Sequence, residues 1–270
     1  MKQIKIDYPT EKTVTEMKKL WQECFGDSEN VIDNFFYKSV KLKNTLCAFI
    51  DDTLVGMLFL QECVVLNGGR EYSAYYIYGV CTRHGFRKMG VMTELFNEAK
   101  ALTKERCVDY LFLIPANDAL FEVYKKQGFE TSFYYEEAVC IADGNNSVKI
   151  FSLGFEDYIN YNKKRFNNRT VALLNEETFN SFMHPVSADM GSFAYQGGYA
   201  VYEINGESVV VFEYAGNECE ISAEILKRTC KNNIIFRKYS KNKNKPYGMS
   251  LAVSTAPEIE NGFFGVPYSN

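Results

Sequence analysis

Histidine is nearly absent: His84 and His184 are the only two in 270 residues, which leaves His-rich metal sites and Ser-His-Asp triads little to draw on. No metal site is expected. Cys-x-x-Cys spacing is missing too. The eight cysteines, Cys24, Cys47, Cys63, Cys81, Cys107, Cys140, Cys219 and Cys230, sit mostly inside apolar runs, where a reduced thiol packs as a small hydrophobe. No stretch approaches the ~20 uncharged apolar residues of a membrane span, and the opening MKQIKIDYPTEK lacks the apolar core of a signal peptide. A cytoplasmic protein with no membrane partner is expected. Nor is positive charge in excess: 30 basic and 34 acidic residues sum to −4, so nothing draws the chain as a whole toward nucleic acid.

What is present suffices for a packed core, since 46% of the residues are hydrophobic and 24% charged. At roughly 150 residues per domain the length suits one large domain or two modest ones. The polar stretch Asp143-Gly144-Asn145-Asn146-Ser147 is the best linker in the chain, which divides it into 1–142 and 148–270.

Apolar residues at helical spacing predict a helix from Thr10 to Phe25, stopped by Gly26, and a second through Val31, Ile32, Phe35 and Phe36. The period then changes. Leu46 to Ile50 and Thr53 to Leu60 flank Asp51-Asp52, and Cys63 to Leu66 meets Glu71 to Thr82 across Asn67-Gly68-Gly69, both read as antiparallel hairpins. After Gly90 the residues Val91, Met92, Leu95, Phe96, Ala99 and Leu102 mark one helical face. A buried strand, Tyr110 to Ile114, a short helix, Asp118 to Gln127, and a strand, Phe133 to Ala142, follow. The second half reads as helix around Phe155 to Phe166, a hairpin (Tyr199 to Ile204, Glu207 to Tyr214) joined by Asn205-Gly206, a helix from Ile221 to Cys230, and strands near Ile234 to Tyr239 and Met249 to Val253. Both halves thus run from helices to a hairpin and on to helix and strand, an α/β arrangement of α+β type with mixed sheets.

The chemistry concentrates in Tyr76-Ile-Tyr-Gly-Val-Cys-Thr-Arg-His-Gly-Phe-Arg-Lys-Met-Gly-Val-Met-Thr93, a strand entering a short loop and then a helix. The first N–H groups of a helix lack intrahelical partners and carry the positive end of its dipole, so a phosphate docked there gains hydrogen bonds and field together. Gly90 permits close approach, Arg87 adds a bidentate fork and Lys88 a point charge. Gly85 and Gly90 have Walker A spacing, but Val91 and Met92 occupy the places of its Lys and Ser/Thr, and no G-x-G-x-x-G follows a strand. A plain turn with a solvated basic face is the competing reading of the loop alone.

The loop is followed about 25 residues later by Pro115-Ala-Asn-Asp-Ala-Leu-Phe-Glu-Val-Tyr-Lys-Lys-Gln-Gly-Phe129. Together, Arg87-x-x-Gly90-x-Met92-Thr93 and Asn117…Tyr124-x-x-x-Gly128-Phe129 resemble the GNAT superfamily of acetyl-CoA-dependent N-acetyltransferases over roughly residues 1–142. The resemblance implies a GNAT fold there and acetyl-CoA as cosubstrate. It implies that the backbone of Val80, Cys81 and Thr82 binds the pantetheine arm, that Arg87, Lys88, Met89, Gly90, Val91, Met92 and Thr93 form the pyrophosphate loop, that Asn117 contacts the cofactor arm, and that Tyr124 is the general acid toward the departing thiolate. Met92 departs from the Gly or Ala usual in the loop, and is expected to point into the core beside Leu95 and Phe96. Residues 148–270 have no second Arg-x-x-Gly loop and look like the smaller, cofactor-free GNAT-like half of two-domain bacterial members related to the enhanced-intracellular-survival acetyltransferases, ending in Gly262-Phe-Phe-Gly-Val-Pro-Tyr268. In some such relatives the terminal carboxylate serves as base, which makes Asn270 a candidate.

The expected reaction is acetyl transfer to a primary amine of a small molecule, with no nucleic-acid partner. Protein or peptide N-acetylation, and a non-catalytic acyl-CoA sensor in which Tyr124 merely anchors its helix, are the alternatives. The sequence singles out no general base: Glu62, Glu136 and Glu137 fall on predicted strands, and His84 adjoins the loop. Alternation places Tyr76 and Tyr78 on one strand face and Tyr75 on the other, so that one face lines an acceptor pocket or, equally, packs as ordinary sheet. The eight basic residues from Lys227 to Lys245, among which no acidic residue occurs, read as a solvated edge or loop.

Overall fold

The computed structural model describes residues 3–142, 148–182 and 189–265; the linker 143–147, His184, Tyr268 and Asn270 lie outside them. The first half runs β1 (Lys5–Asp7), α1 (Glu11–Phe25), α2 (Glu29–Lys38), β2 (Thr45–Ile50), β3 (Thr53–Asn67), β4 (Arg70–Thr82), α3 (Val91–Glu105), β5 (Tyr110–Leu113), α4 (Asp118–Lys125) and β6 (Glu130–Ile141). The second runs β7 (Ile150–Phe151), α5 (Phe155–Arg165), β8 (Thr170–Leu174), α6 (Glu176–Phe182), β9 (Met190–Tyr195), β10 (Gly198–Asn205), β11 (Ser208–Ala215), α7 (Glu218–Thr229), β12 (Asn233–Tyr239), β13 (Lys245–Ala252) and β14 (Gly262–Phe263).

Most elements follow from local chemistry. Gly26 ends α1 in the left-handed region, φ +75°. A two-residue turn with positive φ at both positions, as type I′ geometry requires, joins β2 to β3 through Asp51 and Asp52. Gly68 and Gly69 do the same between β3 and β4. The predicted face of α3 is the buried one, with Val91, Leu95, Phe96, Ala99 and Leu102 all in the core.

Several boundaries differ from expectation. Thr53 to Asn67 is one long strand, because Gln61 and Glu62 stay in register opposite Tyr76 and Tyr75. Strand β6 begins at Glu130 and α7 at Glu218, where the Asn217 side chain accepts from the Cys219 and Glu220 N–H groups. Strands β8 and β9 and helix α6 were not expected from periodicity; β8 is a continuous apolar run, Val171 to Leu174, without alternation to mark it.

All strands join one sheet, in the order β1-β2-β3-β4-β5-β13-β6-β12-β11-β10-β9-β7, with β8 and β14 paired off this path. Strand β13 lies between β5 and β6, antiparallel to both. In each half a hairpin's second strand has a parallel neighbour reached through a helix: β4 beside β5 through α3, and β11 beside β12 through α7. One face of the sheet packs Met17, Leu20 and Trp21 of α1 with Phe59, Tyr76 and Tyr78, and the other packs α3 against Leu58, Tyr75, Ile77 and Leu111. The alternation expected of the tyrosines is therefore present, with Tyr75 held on its own face by a 3.2 Å hydrogen bond from Arg106.

Strand β4 carries a bulge: Met57 pairs Cys81 and Phe59 pairs Tyr78, so Gly79 and Val80 together oppose Leu58. Gly79 adopts φ +61°, and a Cβ there would stand 2.7 Å from Trp21 Cζ3 and 2.9 Å from Phe59 Cδ2. Gly79→Ala combines a sparsely populated backbone region with a core clash and should lower unfolding stability by about 2–4 kcal/mol, read by denaturant titration.

The second half buries Glu213, 2% exposed. Tyr199 donates to its Oε1 at 2.7 Å and Asn162 Nδ2 at 2.9 Å, while Oε2 has no hydrogen-bond partner. Burial outweighs these bonds and pushes the carboxyl up to about 7. The native state then holds a proton that the unfolded chain releases above its ordinary value of 4.5, so stability falls as pH rises from that value toward 7. Glu213→Gln should remove this slope, on the order of 2–3 kcal/mol across the window, as measured by unfolding at pH 5 and pH 8.

Candidate active site

Strands β4 and β5 pair only from Ala74↔Tyr110 to Tyr76↔Phe112. Beyond these residues β4 continues to Thr82 while the chain after β5 turns toward α4, so the two part like a V. The β4 edge from Ile77 onward has no strand on that side among the described residues. Its peptide groups are thus placed to pair with an extended ligand in the manner of an added strand.

After Thr82 the loop is tied down at several points. The Arg83 N–H donates to Val55 O at 2.8 Å and its Nε to Leu54 O at 3.2 Å, and its guanidinium lies 3.3 Å from Glu23. Arg87 Nε donates to Thr82 O at 3.4 Å, folding its guanidinium back over the strand end. Lys88 and Gly90 have positive φ, +64° and +89°. Gly90 is the N-cap of α3, and its carbonyl accepts from Glu94 N–H at 3.1 Å, the first bond of the helix. The N–H groups of Val91, Met92 and Thr93 therefore lie at the positive end of the dipole, with no side-chain cap. The space a Cβ of Gly90 would take is open to 4 Å, which leaves room for a phosphate against the backbone.

A cavity of about 580 Å³ gathers these parts. The expected residues Val80, Cys81, Thr82, Arg87, Lys88, Gly90, Val91, Met92, Thr93 and Tyr124 line it. Met89, 40% exposed on the loop, and Asn117, exposed at the N-cap of α4, do not. Met92 is half-buried, packs against the cluster containing Leu95 and Phe96, and still lines the cavity. Cys24 and Phe25, from the end of α1, with Phe86 and Leu120, complete the lining; nothing in the sequence says that α1 ends over the tip of β4. The loop, the helix end and the open strand edge have the chemistry and the space that an acyl-CoA's pyrophosphate and pantetheine arm require.

A smaller chamber, about 150 Å³, occupies the V between β4 and β5 and shares Phe25, Val80, Leu120 and Tyr124 with the larger one. Tyr76, Tyr78, Leu113, Ile114 and Ala116 contribute to its walls. Tyr124 sits at the junction, 7% exposed, its ring 5.6 Å from Phe96. Burial pushes its phenol up to about 12, so it stays protonated near neutrality.

The carboxylates noted on predicted strands lie elsewhere. Glu62 accepts from Asn44 Nδ2 at 2.9 Å, Asn175 Nδ2 at 3.1 Å and Lys41 at 3.2 Å. Burial raises its carboxyl, but those partners outweigh it and hold the group below its ordinary range. Glu137 pairs with Lys245 and Glu136 faces Asn244, on the stretch where β6 meets β12 and β13. His84 is exposed, its N–H bonded to Glu23 at 2.8 Å. Much of the basic stretch is likewise occupied: Lys231 pairs with Glu207, Lys238 with Glu218, Arg228 with Glu224, and Arg237 stacks on Tyr135 and Phe212.

Residues 5–132 match the family model described as "Acetyltransferase (GNAT) domain". No curated protein matches the chain. Among solved structures, a probable N-acyltransferase from Enterococcus faecalis superposes at TM-score 0.74 with 15% identity, over 94% of this chain and 73% of that one. Eis1 from Mycobacterium abscessus superposes at 0.64 with 10% identity, over 93% and 74%. Saccharomyces cerevisiae N-myristoyltransferase with bound myristoyl-CoA does so at 0.62 with 10% identity, over 96% and 84%. At these identities the structures establish shared fold across both halves, and the family match identifies residues 5–132 as a GNAT acetyltransferase domain, which supports an acyltransferase activity.

Proposed function

We propose that the protein transfers the acetyl group of acetyl-CoA to a primary amine of a small molecule, with Tyr124 as proton donor to the leaving sulfur. The observation that carries this reading is the meeting of the two chambers at Tyr124. One has the features of a phosphate and pantetheine site, and the other opens where an amine would approach the end of that arm. Acetyl-CoA supplies an activated thioester, and the rest falls to this chain's residues.

The Val91, Met92 and Thr93 N–H groups, with Arg87 and Lys88, hold the pyrophosphate. The open β4 edge holds the arm and points its end at the V. The bulge at Gly79 and Val80 turns backbone toward the same point, where an N–H stabilises negative charge developing on the carbonyl oxygen. Tyr124 hydrogen-bonds the departing sulfur. A phenol near 12 is a weaker acid than a thiol of about 8.5, but the burial that raises the phenol also disfavours a bare thiolate, so donor and acceptor shift together.

No carboxylate or imidazole among the described residues lines either chamber. An amine of pKa about 10.4 then has to shed its proton to water before attack. The kcat/KM for such an amine should climb with pH through 9 and show no falling limb below about 11, where Tyr124 begins to ionise; a bell with an alkaline limb near 8 would exclude a buried tyrosine donor.

Tyr124→Phe should lower kcat by about 10²–10³ while acetyl-CoA affinity, read by titration calorimetry, stays within about twofold. Turnover undiminished in this variant removes Tyr124 from the chemistry, and binding without turnover by the unmodified protein, across polyamine, aminoglycoside, amino-acid and peptide acceptors, favours a sensor. Arg87→Ala combined with Gly90→Asp should weaken acetyl-CoA binding by at least about 100-fold, since it removes a cation and sets a carboxylate where the phosphate would sit. Unchanged affinity would sink the phosphate-loop assignment.

A further inference from the structure

Two thiols stand in the wall of the larger cavity, and acyl transfer uses neither. Cys24 belongs to the last turn of α1 and is half-buried; Cys81, on β4, is 6% exposed. Both line the cavity. The Cys24 thiol donates to Thr82 O at 3.6 Å, the residue that follows Cys81 on β4, and each of the two thiols shifts the ionisation of the other. The other cysteines are placed differently. Cys47 and Cys63 are buried, with their thiols pushed up by burial, Cys140 is half-buried, and Cys107, Cys219 and Cys230 are exposed away from the cavity.

We infer that Cys24 and Cys81 form an oxidation-sensitive dithiol, which a peroxide converts to a disulfide inside the acyl-CoA cavity. The two sulfurs are unequal. The Cys81 thiol, aided by the Arg87 charge, holds the Cys24 thiol below its ordinary value, whereas burial keeps Cys81 well above it. Cys24 is therefore the sulfur that attacks.

The Cys24 thiolate displaces hydroxide from the peroxide, breaking its O–O bond. The sulfenic acid so formed is attacked by the Cys81 sulfur, and the S–O bond breaks as the S–S bond forms. The two thiols give up two electrons and two protons, and one hydrogen peroxide becomes two waters. An S–S bond of about 2.05 Å is far shorter than the approach of two unbonded thiols. Its formation draws Cys24 and Phe25 toward Val80, Cys81 and Thr82, and narrows the cavity along the strand edge that the pantetheine arm would use. Crosslink and acyl-CoA then exclude one another: by reciprocity bound acyl-CoA disfavours the crosslink, and by covering the cavity wall it keeps peroxide from the thiols. This second consequence rests on the acyl-CoA reading of the cavity.

The test treats the full-length reduced protein with hydrogen peroxide, with and without acetyl-CoA, and follows it by non-reducing peptide mapping and titration calorimetry. The expected product is a linked pair of peptides containing Cys24 and Cys81. Acetyl-CoA should slow its appearance, and its formation should weaken acetyl-CoA binding by at least about tenfold, reversed by dithiothreitol. Cys24→Ser should abolish the linked pair, and the triple variant Cys107→Ser, Cys219→Ser, Cys230→Ser should retain both it and the affinity loss. Oxidation confined to single cysteines, or a different pairing, overturns the dithiol. A Cys24–Cys81 link with unchanged acetyl-CoA affinity overturns the exclusion. If the reduced protein binds no acetyl-CoA, the reading of the cavity fails instead, and the peptide map still decides the dithiol.

Discussion

Everything at the centre of this molecule depends on how briefly β4 and β5 are paired. Parallel neighbours ordinarily run together, but here the ladder stops at Tyr76 and Phe112. Past that point the peptide groups of β4 have no strand to satisfy them on one side among the described residues, and an unpaired strand edge beside a buried wall invites an extended partner. The constraint is enforced from both sides. Gly79 and Val80 bulge β4 away from straight pairing, held against Trp21 and Phe59 with no space for a side chain, and β13 binds the other edge of β5, leaving it no freedom to close the gap.

The loop and helix that follow are oriented by the same strand. Arg83 fastens the chain to Leu54 and Val55, Arg87 returns to Thr82 O, and Gly90 starts α3 with its leading N–H groups uncapped. The buried side of α3, Val91 to Leu102, fixes its axis against the sheet. A few kcal/mol of burial per large side chain thus holds rigid a helix terminus whose electrostatics are turned to solvent and cavity.

Legibility in the sequence followed the range of the interactions. The strand, loop and helix around Arg87 and Gly90 were readable because caps, glycine turns and a helical face are local, and Tyr124 because its spacing to Gly128-Phe129 is local too. Cys24, Phe25 and Leu120 were not, since their part in the lining arises from how α1 and α4 cross the end of β4. Strand β8, a solid apolar run, carried no period to distinguish it, and the insertion of β13 is a pairing over more than a hundred residues, for which the letters of Lys245 to Ala252 give no sign. The carboxylates were silent for a related reason: Lys41, Asn44 and Asn175 converge on Glu62 from three distant segments and make it an anchor.

The position of β13 also bears on how the protein is made. As the chain leaves the ribosome, β5 and β6 emerge long before the strand that separates and pairs them. Until residues near 245 appear, both present open edges, and closing a loop of that length is entropically slow. The first half therefore cannot complete its own sheet during synthesis; a strand encoded more than a hundred residues later finishes it, which ties the maturation of the site to translation of the second half.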